Sequence, residues 1–306
     1  MIEQHAVRIL AFLAFLALGP LLLGVVNRVK AICAGRTGPP LLQPYHDLRR
    51  LLGKEAVFSR TTTWVFRAGP ALGLATAAAA GLLMSFGGAP ALLRFPGDFL
   101  LFVALLALGR FFTALAALDT GSSFEGMGAA REITFASFAE PALLLCLVVL
   151  VRATGSLSLS GMLDAELPEL WHTQGPALLL AAVALLGVAL AENARIPVDD
   201  PTTHLELTMV HEAMVLDHSG PDLALIEYGA SLKLFLFGAL VVRLALGFPF
   251  SSPWAALGVF LGGMAAFAVV VGLVESTMAR LRMNRVPHFL TATAILGVFS
   301  LVLLLR

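Results

Sequence analysis

Eight long apolar runs, at residues 7–26, 64–86, 99–118, 133–151, 176–191, 223–246, 254–274 and 287–305, constrain this chain more than any other feature of it. A helix rising 1.5 Å per residue needs about 20 residues to cross hydrocarbon. Backbone polar groups find no water there, so each run must satisfy its own hydrogen bonds, which a helix does. With 58% hydrophobic and 13% charged residues, against about 25% charged in soluble domains, the expectation is an all-α polytopic membrane protein of about eight transmembrane helices in one membrane domain, 1–306. Glu3 and His5 lead the first run and Arg28 and Lys30 follow it. A cleaved signal peptide has a basic start instead, so this run reads as a retained span.

Loop charge orients the bundle. Arg28, Lys30, Arg36, Arg49, Arg50, Lys54 and Arg60 lie between the first two runs, with Arg67 at the start of the second, and Arg280, Arg282 and Arg285 lie between the last two. The positive-inside rule makes these loops cytoplasmic and puts both termini on the outer side of the cell (inner, cytoplasmic) membrane. The formal net charge is zero, so there is no basic field for nucleic acid, and the expected surroundings are the lipid bilayer. Two cysteines, Cys33 and Cys146, exclude an all-cysteine iron–sulfur or zinc site made by this chain alone.

Two cytoplasmic loops carry more chemistry than a tether needs. In the basic loop, 27–63, Leu41, Leu42, Tyr45, Leu48, Leu51 and Leu52 recur at helical spacing among Asp47, Arg49, Arg50 and Lys54, predicting an amphipathic interfacial helix. It serves as a membrane-surface anchor, a partner's docking floor, or both. The acidic loop, 192–222, holds Glu192, Asp199, Asp200, Glu206, Glu212 and Asp217 in its stretch 191–220, six of the chain's 20 acids in thirty residues. Pro197 and Pro201 precede a predicted helix over about 202–216, with Thr202 or Thr203 as N-cap and Glu206 near its first turn. His204 and His211 lie seven apart, about 10 Å along such a helix and too far to share an ion. No metal site is expected, and His218 reads as a segment terminator.

Within the apolar runs stand Arg110, Glu140, Glu227 and Lys233. A charge at a helix centre costs about 2.5–3.5 kcal/mol on insertion scales, so these groups must face the bundle interior. One reading is fixed pairing, Arg110 with Glu140 or Glu227 with Lys233. The other is a hydrated proton path through Glu140, Glu192 and Glu227, which come from three spans. A Gly-rich phosphate loop, a Ser-His-Asp order and a nucleotide fingerprint are all missing, so no catalytic centre is expected in this chain.

Three blocks carry a resemblance to a known family. They are Arg36-Thr37-Gly38-Pro39 with Leu42-Gln43-Pro44, Asp47 and Lys54-Glu55; Gly126-Met127-Gly128 with Arg131 and Glu140; and Ala191-Glu192-Asn193-Ala194-Arg195-Ile196-Pro197 with Asp199 and Glu206. They resemble the RxGP…LQP…D…KE loop, the Gly-rich turn with its arginine and span-four glutamate, and the AExxRxPxD…E block of the respiratory complex I subunit 1 family. Complex I has an AAAQxxSYE-like stretch where this chain reads Glu132-Ile133-Thr134-Phe135-Ala136-Ser137-Phe138-Ala139-Glu140. That departure, with the VDDPTTHLELTMVHEAMVLDHSG form of the acidic block, is similar to the branch found in membrane-bound group 4 [NiFe] hydrogenases.

The resemblance implies a membrane-anchoring and coupling subunit of a [NiFe] hydrogenase or formate hydrogenlyase-type complex. Its partners would be a [NiFe] large subunit, an iron–sulfur small subunit and antiporter-like membrane subunits, with the [NiFe] centre and the clusters held by the partners. The coupling candidates are Glu140, Glu192, Glu206, Glu227, Lys233, Arg110 and Asp199. Candidates for docking the peripheral arm are Arg36, Gln43, Asp47, Arg131, Arg195, Asp200 and Glu212. The alternatives are a quinone-chamber subunit of a complex I-like NADH dehydrogenase and an autonomous ion-coupled secondary transporter; Phe135, Phe138 and Ala139 in the altered block argue against a long quinone tunnel.

Overall fold

A computed structural model of the chain describes residues 2–164, 167–200, 209–246 and 253–305. Among them, eight helices are long and apolar enough to cross a membrane. They are α1 (Ile2–Cys33), α3 (Trp64–Leu82), α4 (Asp98–Asp119), α5 (Ser123–Thr154), α7 (Leu167–Glu192), α9 (Gly220–Ala245), α10 (Pro253–Thr277) and α11 (Val286–Leu304). Three short helices join them: α2 (Gln43–Leu52), α6 (Leu159–Leu163) and α8 (His211–Met214). The expected interfacial helix is α2. It starts at the proline-containing turn after Leu42, buries Leu51, and rests on α1 and α9.

The loop contacts separate the two ends of the bundle. At the end bearing α2 and α8, the Val57 N–H donates to Ser219 Oγ at 3.0 Å, and the Leu281 N–H to the Pro197 carbonyl at 2.9 Å. Here too Asp119, the last residue of α4, receives the Thr63 N–H at 2.6 Å, the Thr63 hydroxyl at 2.9 Å and the Phe66 N–H at 3.2 Å. It thereby satisfies donors that the first turn of α3 leaves open. At the other end the fully buried Asp98 accepts from Ser158 Oγ at 2.9 Å and from the Leu159 N–H at 2.5 Å. Arg243 reaches Asp164 there at 3.0 Å, and Ser85 donates to the same carboxylate at 2.9 Å. Burial pushes the Asp164 carboxyl above its ordinary range.

Between the ends, packing rather than water exclusion must hold the helices, because lipid is as apolar as their side chains. Small residues allow the backbones close. A Cβ on Gly69 would stand 2.9 Å from the Ala116 methyl, and one on Gly109 would stand 2.5 Å from Thr76 Oγ1, so α3 and α4 cross in near contact. Rings pack as well: Phe15 stacks on Phe86 at 5.1 Å, and Phe235 meets Phe15 edge-on at 5.5 Å.

Three elements differ from expectation. α5 begins at Ser123, so Gly126-Met127-Gly128 is helix and not a turn. Gly128 is there for proximity, since a Cβ would lie 2.9 Å from the Ala213 methyl of α8 and 3.0 Å from the Val210 carbonyl. The short run 176–191 is the second part of α7, which bends at Gln174 (φ −127°, ψ 22°), just before Pro176 removes a donor from the ladder. Of the helix expected over 202–216, the described part is helical at His211–Met214. Thr202, Thr203, His204 and Glu206 lie outside the described residues.

His218 is a packed ring, 4% exposed, stacked on Phe66 with centroids 3.9 Å apart, and burial lowers its pKa from 6.5 to about 4. A depressed folded-state value means that the unfolded chain binds the proton first as pH falls. Stability of the solubilised protein is therefore expected to be full above pH 6.5 and to decline toward pH 4. The loss is on the order of 3 kcal/mol at the acid limit. Thermal unfolding of the protein and of His218→Phe across that range checks this: the variant should lose the part of the decline that His218 causes.

Candidate functional site

Arg110, in the middle of α4, gathers acids from two other spans. Its Nη1 donates to Glu140 Oε1 at 2.6 Å and its Nη2 to Glu192 Oε2 at 2.6 Å, and its Nε lies 3.5 Å from Glu132 Oε1. Lys233 of α9 reaches the same Glu192 oxygen at 2.8 Å. Glu132 and Glu140 stand about two turns apart on α5. Glu192 ends α7, so α4, α5, α7 and α9 all contribute. A planar guanidinium presents donors in several directions at fixed angles, which a lysine ammonium does not. Arg110 is 8% exposed and Glu192 3%. Three carboxylates thus face two cations, leaving one negative charge in excess.

The cluster borders a cavity of about 120 Å³ among α3, α4, α5, α7, α8 and α9, lined by Arg110, Glu132, Glu192 and Lys233 and also by Gly69, Gly73 and Gly229. That is room for a few waters at about 30 Å³ each. Glu132 and Glu192 also border a second cavity of about 10 Å³, lined as well by Asp199, Phe135 and Val210. Oxygen atoms at the border of such spaces can take and pass protons, and a fixed cation nearby holds a carboxylate ionised.

A second buried cluster lies beyond the end of α7. Glu275 of α10, fully buried, is held by Lys30 of α1 at 2.7 Å and by Arg195 at 3.3 Å. Asp199, also buried, accepts from Arg280 at 2.7 Å and from the His211 N–H at 3.1 Å. The segment from Glu192 to Asp199 is therefore pinned from inside the chain: at its start by Arg110 and Lys233, at its middle by Glu275, at its end by Arg280.

Of the coupling candidates, Arg110, Glu140, Glu192 and Lys233 come together. Asp199 lines the smaller cavity, and Glu206 lies outside the described residues. Glu227 is exposed, in the field of Asp47, Glu212 and Arg50. The pairing of Glu227 with Lys233 is replaced by Lys233 with Glu192, because residues six apart on a helix point to different faces. Of the docking candidates, Arg36 is exposed, Gln43 bonds Asp47 at 3.1 Å, and Asp47 pairs with Arg50 at 3.2 Å. Glu212 is partly buried in α8, and the Asp200 N–H donates to Asp199 Oδ1 at 2.9 Å. Arg131 donates to the Met209 carbonyl at 2.8 Å, and Arg195 is buried on Glu275. Sequence reasoning missed Glu132 and Glu275 as site residues. Each stands near the end of an apolar run, where a charge raises no alarm.

A protein-family model described as NADH dehydrogenase matches residues 5–305. The chain belongs to this family, that of complex I subunit 1. As a family member it is 31% identical over 293 residues to formate hydrogenlyase subunit 4 of Escherichia coli (strain K12), covering 90% of this chain and 91% of that one. It is 31% identical over 282 residues to hydrogenase-4 component C of the same organism, covering 89% and 87%. An NADH-quinone oxidoreductase chain of Rubrobacter xylanophilus is 30% identical over 258 residues, covering 82% and 77%. The complex I subunit 1 fold is shared with a chain of the membrane-bound sulfane sulfur reductase, an archaeal respiratory membrane complex. The TM-score is 0.83, the identity 20%, and 99% of each chain is covered.

Replacing Arg110 leaves three carboxylates around one lysine. Removing one partner of a buried pair costs about 3–5 kcal/mol, so Arg110→Met should sharply lower the yield of folded protein. Lys233→Met, which leaves the guanidinium on all three acids, should lower it less. Detergent-extracted yield and thermal unfolding of the two variants, measured side by side, check the order.

Proposed function

We propose that this chain is the membrane-anchoring and coupling subunit of a membrane-bound [NiFe] hydrogenase or formate hydrogenlyase-type complex, linking a peripheral redox arm to proton or sodium translocation. The observation that carries this reading is the likeness, over nine-tenths of the chain, to formate hydrogenlyase subunit 4. The buried charges say how such a subunit would act. The end bearing α2 and α8 is the cytoplasmic end and both termini face outward, as its basic loops support. There the exposed Arg36 and the chain of Gln43, Asp47 and Arg50 offer polar contacts to a [NiFe] large subunit and an iron–sulfur small subunit, which hold the [NiFe] centre and the clusters.

A change of charge in that arm reaches the Arg110 cluster through the segment from Glu192 to Asp199. The cluster answers by shifting protons among its acids, toward antiporter-like membrane subunits alongside. Glu140, 35% exposed on the flank of α5, points to such a neighbour, since a carboxylate facing bare lipid is costly. The quinone-chamber reading has less support: the cavity beside Arg110, about 120 Å³, is below the ~300 Å³ at which small-molecule pockets begin, and the roomier space at Lys30, Arg36 and Pro39 is an open groove on the basic loop.

Affinity purification of the tagged chain in mild detergent tests the proposal. A [NiFe]-type large subunit, an iron–sulfur subunit and antiporter-like subunits should co-purify. Recovery of the chain alone, exchanging ions by itself in vesicles, would make it a secondary transporter instead.

A further inference from the structure

Within the Arg110 cluster the three carboxylates are not equivalent. Glu192 is clamped, bonded to Arg110 at 2.6 Å and to Lys233 at 2.8 Å. Glu140 is bonded to Arg110 at 2.6 Å, on the outer flank of α5, and borders neither cavity. Glu132 has the longest contact, 3.5 Å to Nε, an atom with no hydrogen-bond partner among the described residues. Its side chain is 19% exposed and borders both cavities. The smaller one, about 10 Å³, is near the least volume that holds a single water. With one negative charge in excess, the cluster becomes neutral when one acid carries a proton. The acid whose protonation breaks the weakest contact is Glu132.

We propose that Glu132 is the proton-exchanging carboxylate of this subunit, passing a proton between the two cavities, while Glu140 and Glu192 stay ionised as fixed counter-ions of Arg110. This rests on the coupling role proposed above and says which acid performs it. A hydronium in the larger cavity gives its proton to a Glu132 oxygen and leaves a water behind. Transfer of that proton to a water in the smaller cavity restores the carboxylate and its contact with Nε. No group changes oxidation state. The charged and titratable groups facing Glu132 are Arg110 from α4, Glu192 from α7, Lys233 from α9, His211 from α8 and Asp199 from the loop. Asp199, held by Arg280 and the His211 N–H, lines the smaller cavity with Glu132 and is the other acid besides Glu192 on it. The lysine and arginine cations remain on Glu192 throughout, so the clamp between α4, α7 and α9 survives each transfer.

The test uses the whole purified complex, reconstituted in vesicles. Infrared difference spectra between acidic and alkaline buffer should show the carbonyl stretch of a protonated carboxyl that disappears in E132Q and persists in E140Q and E192Q. Ions moved per redox turnover should fall about a hundredfold or more in E132Q, the scale of losing a positioned acid–base group. E132D, which keeps the carboxyl on a shorter arm, should retain a carboxyl band at a shifted frequency and part of the ion movement. It also decides the matter if E132Q fails to assemble, because an unshifted band in E132D overturns the assignment. A band that survives in E132Q, or vanishes in E140Q instead, likewise overturns it. A wild-type complex that moves no ions overturns the coupling role itself, and the assignment with it; a wild-type complex that pumps beside an E132Q that pumps equally overturns the assignment alone.

Discussion

The guanidinium of Arg110, placed amid apolar helices, is the constraint to which much of the bundle answers. A lone cation there is expensive, and the structure compensates it with acids from α5 and α7, one of them shared with a lysine from α9. Those bonds need four helices at one depth and in one rotational register, a demand that greasy packing alone, tolerant of sliding and turning, does not make. The arrangement is stiff where Glu192 is clamped and looser at Glu132, so the same cluster provides both a fixed reference and a group free to change its state.

The acidic loop illustrates how charge density is used. Six acids in a short polar stretch suggest a surface turned toward a partner, yet Glu192 and Asp199 are buried and paired within the chain, as is the arginine between them. Around Arg110 acids outnumber cations; around Glu275 two cations share one acid. A short segment therefore runs from a negative to a positive surplus. Displacing it would alter both clusters together, whereas its two ends are anchored to different helices, α4 and α9 at one end and the α10–α11 loop at the other.

How much of this was legible beforehand depends on the kind of signal. The number of spans and the interfacial helix follow from long apolar runs and from leucines at helical spacing, because hydrocarbon enforces both. Helix ends were less legible. α5 starts ten residues before its apolar run, as Ser123 to Glu132 pack on α8 and α4 and need not be greasy. α7 continues back beyond Pro176 for a similar reason. Arg110, Glu140 and Lys233 stand out as charges in apolar surroundings, and the pairing of Arg110 with Glu140 is among the readings they offer, but the further partners, Glu132 and Glu192, depend on how distant helices are rotated against one another, which no local pattern encodes. Glu132 and Glu275, near run ends, resemble ordinary boundary residues until the fold buries them.

Asp119 is the last residue of α4, and its carboxylate caps the first turn of α3. Those two helices pack closely together, and the link joining them, residues 83–97, lies at the opposite end. A nascent chain could therefore complete this pair as soon as α4 has left the ribosome, well before α5 to α11 exist. Asp119 would act as a latch on a finished hairpin, so that synthesis delivers Arg110 into the membrane on a part already rigid, to await the acids that later segments bring.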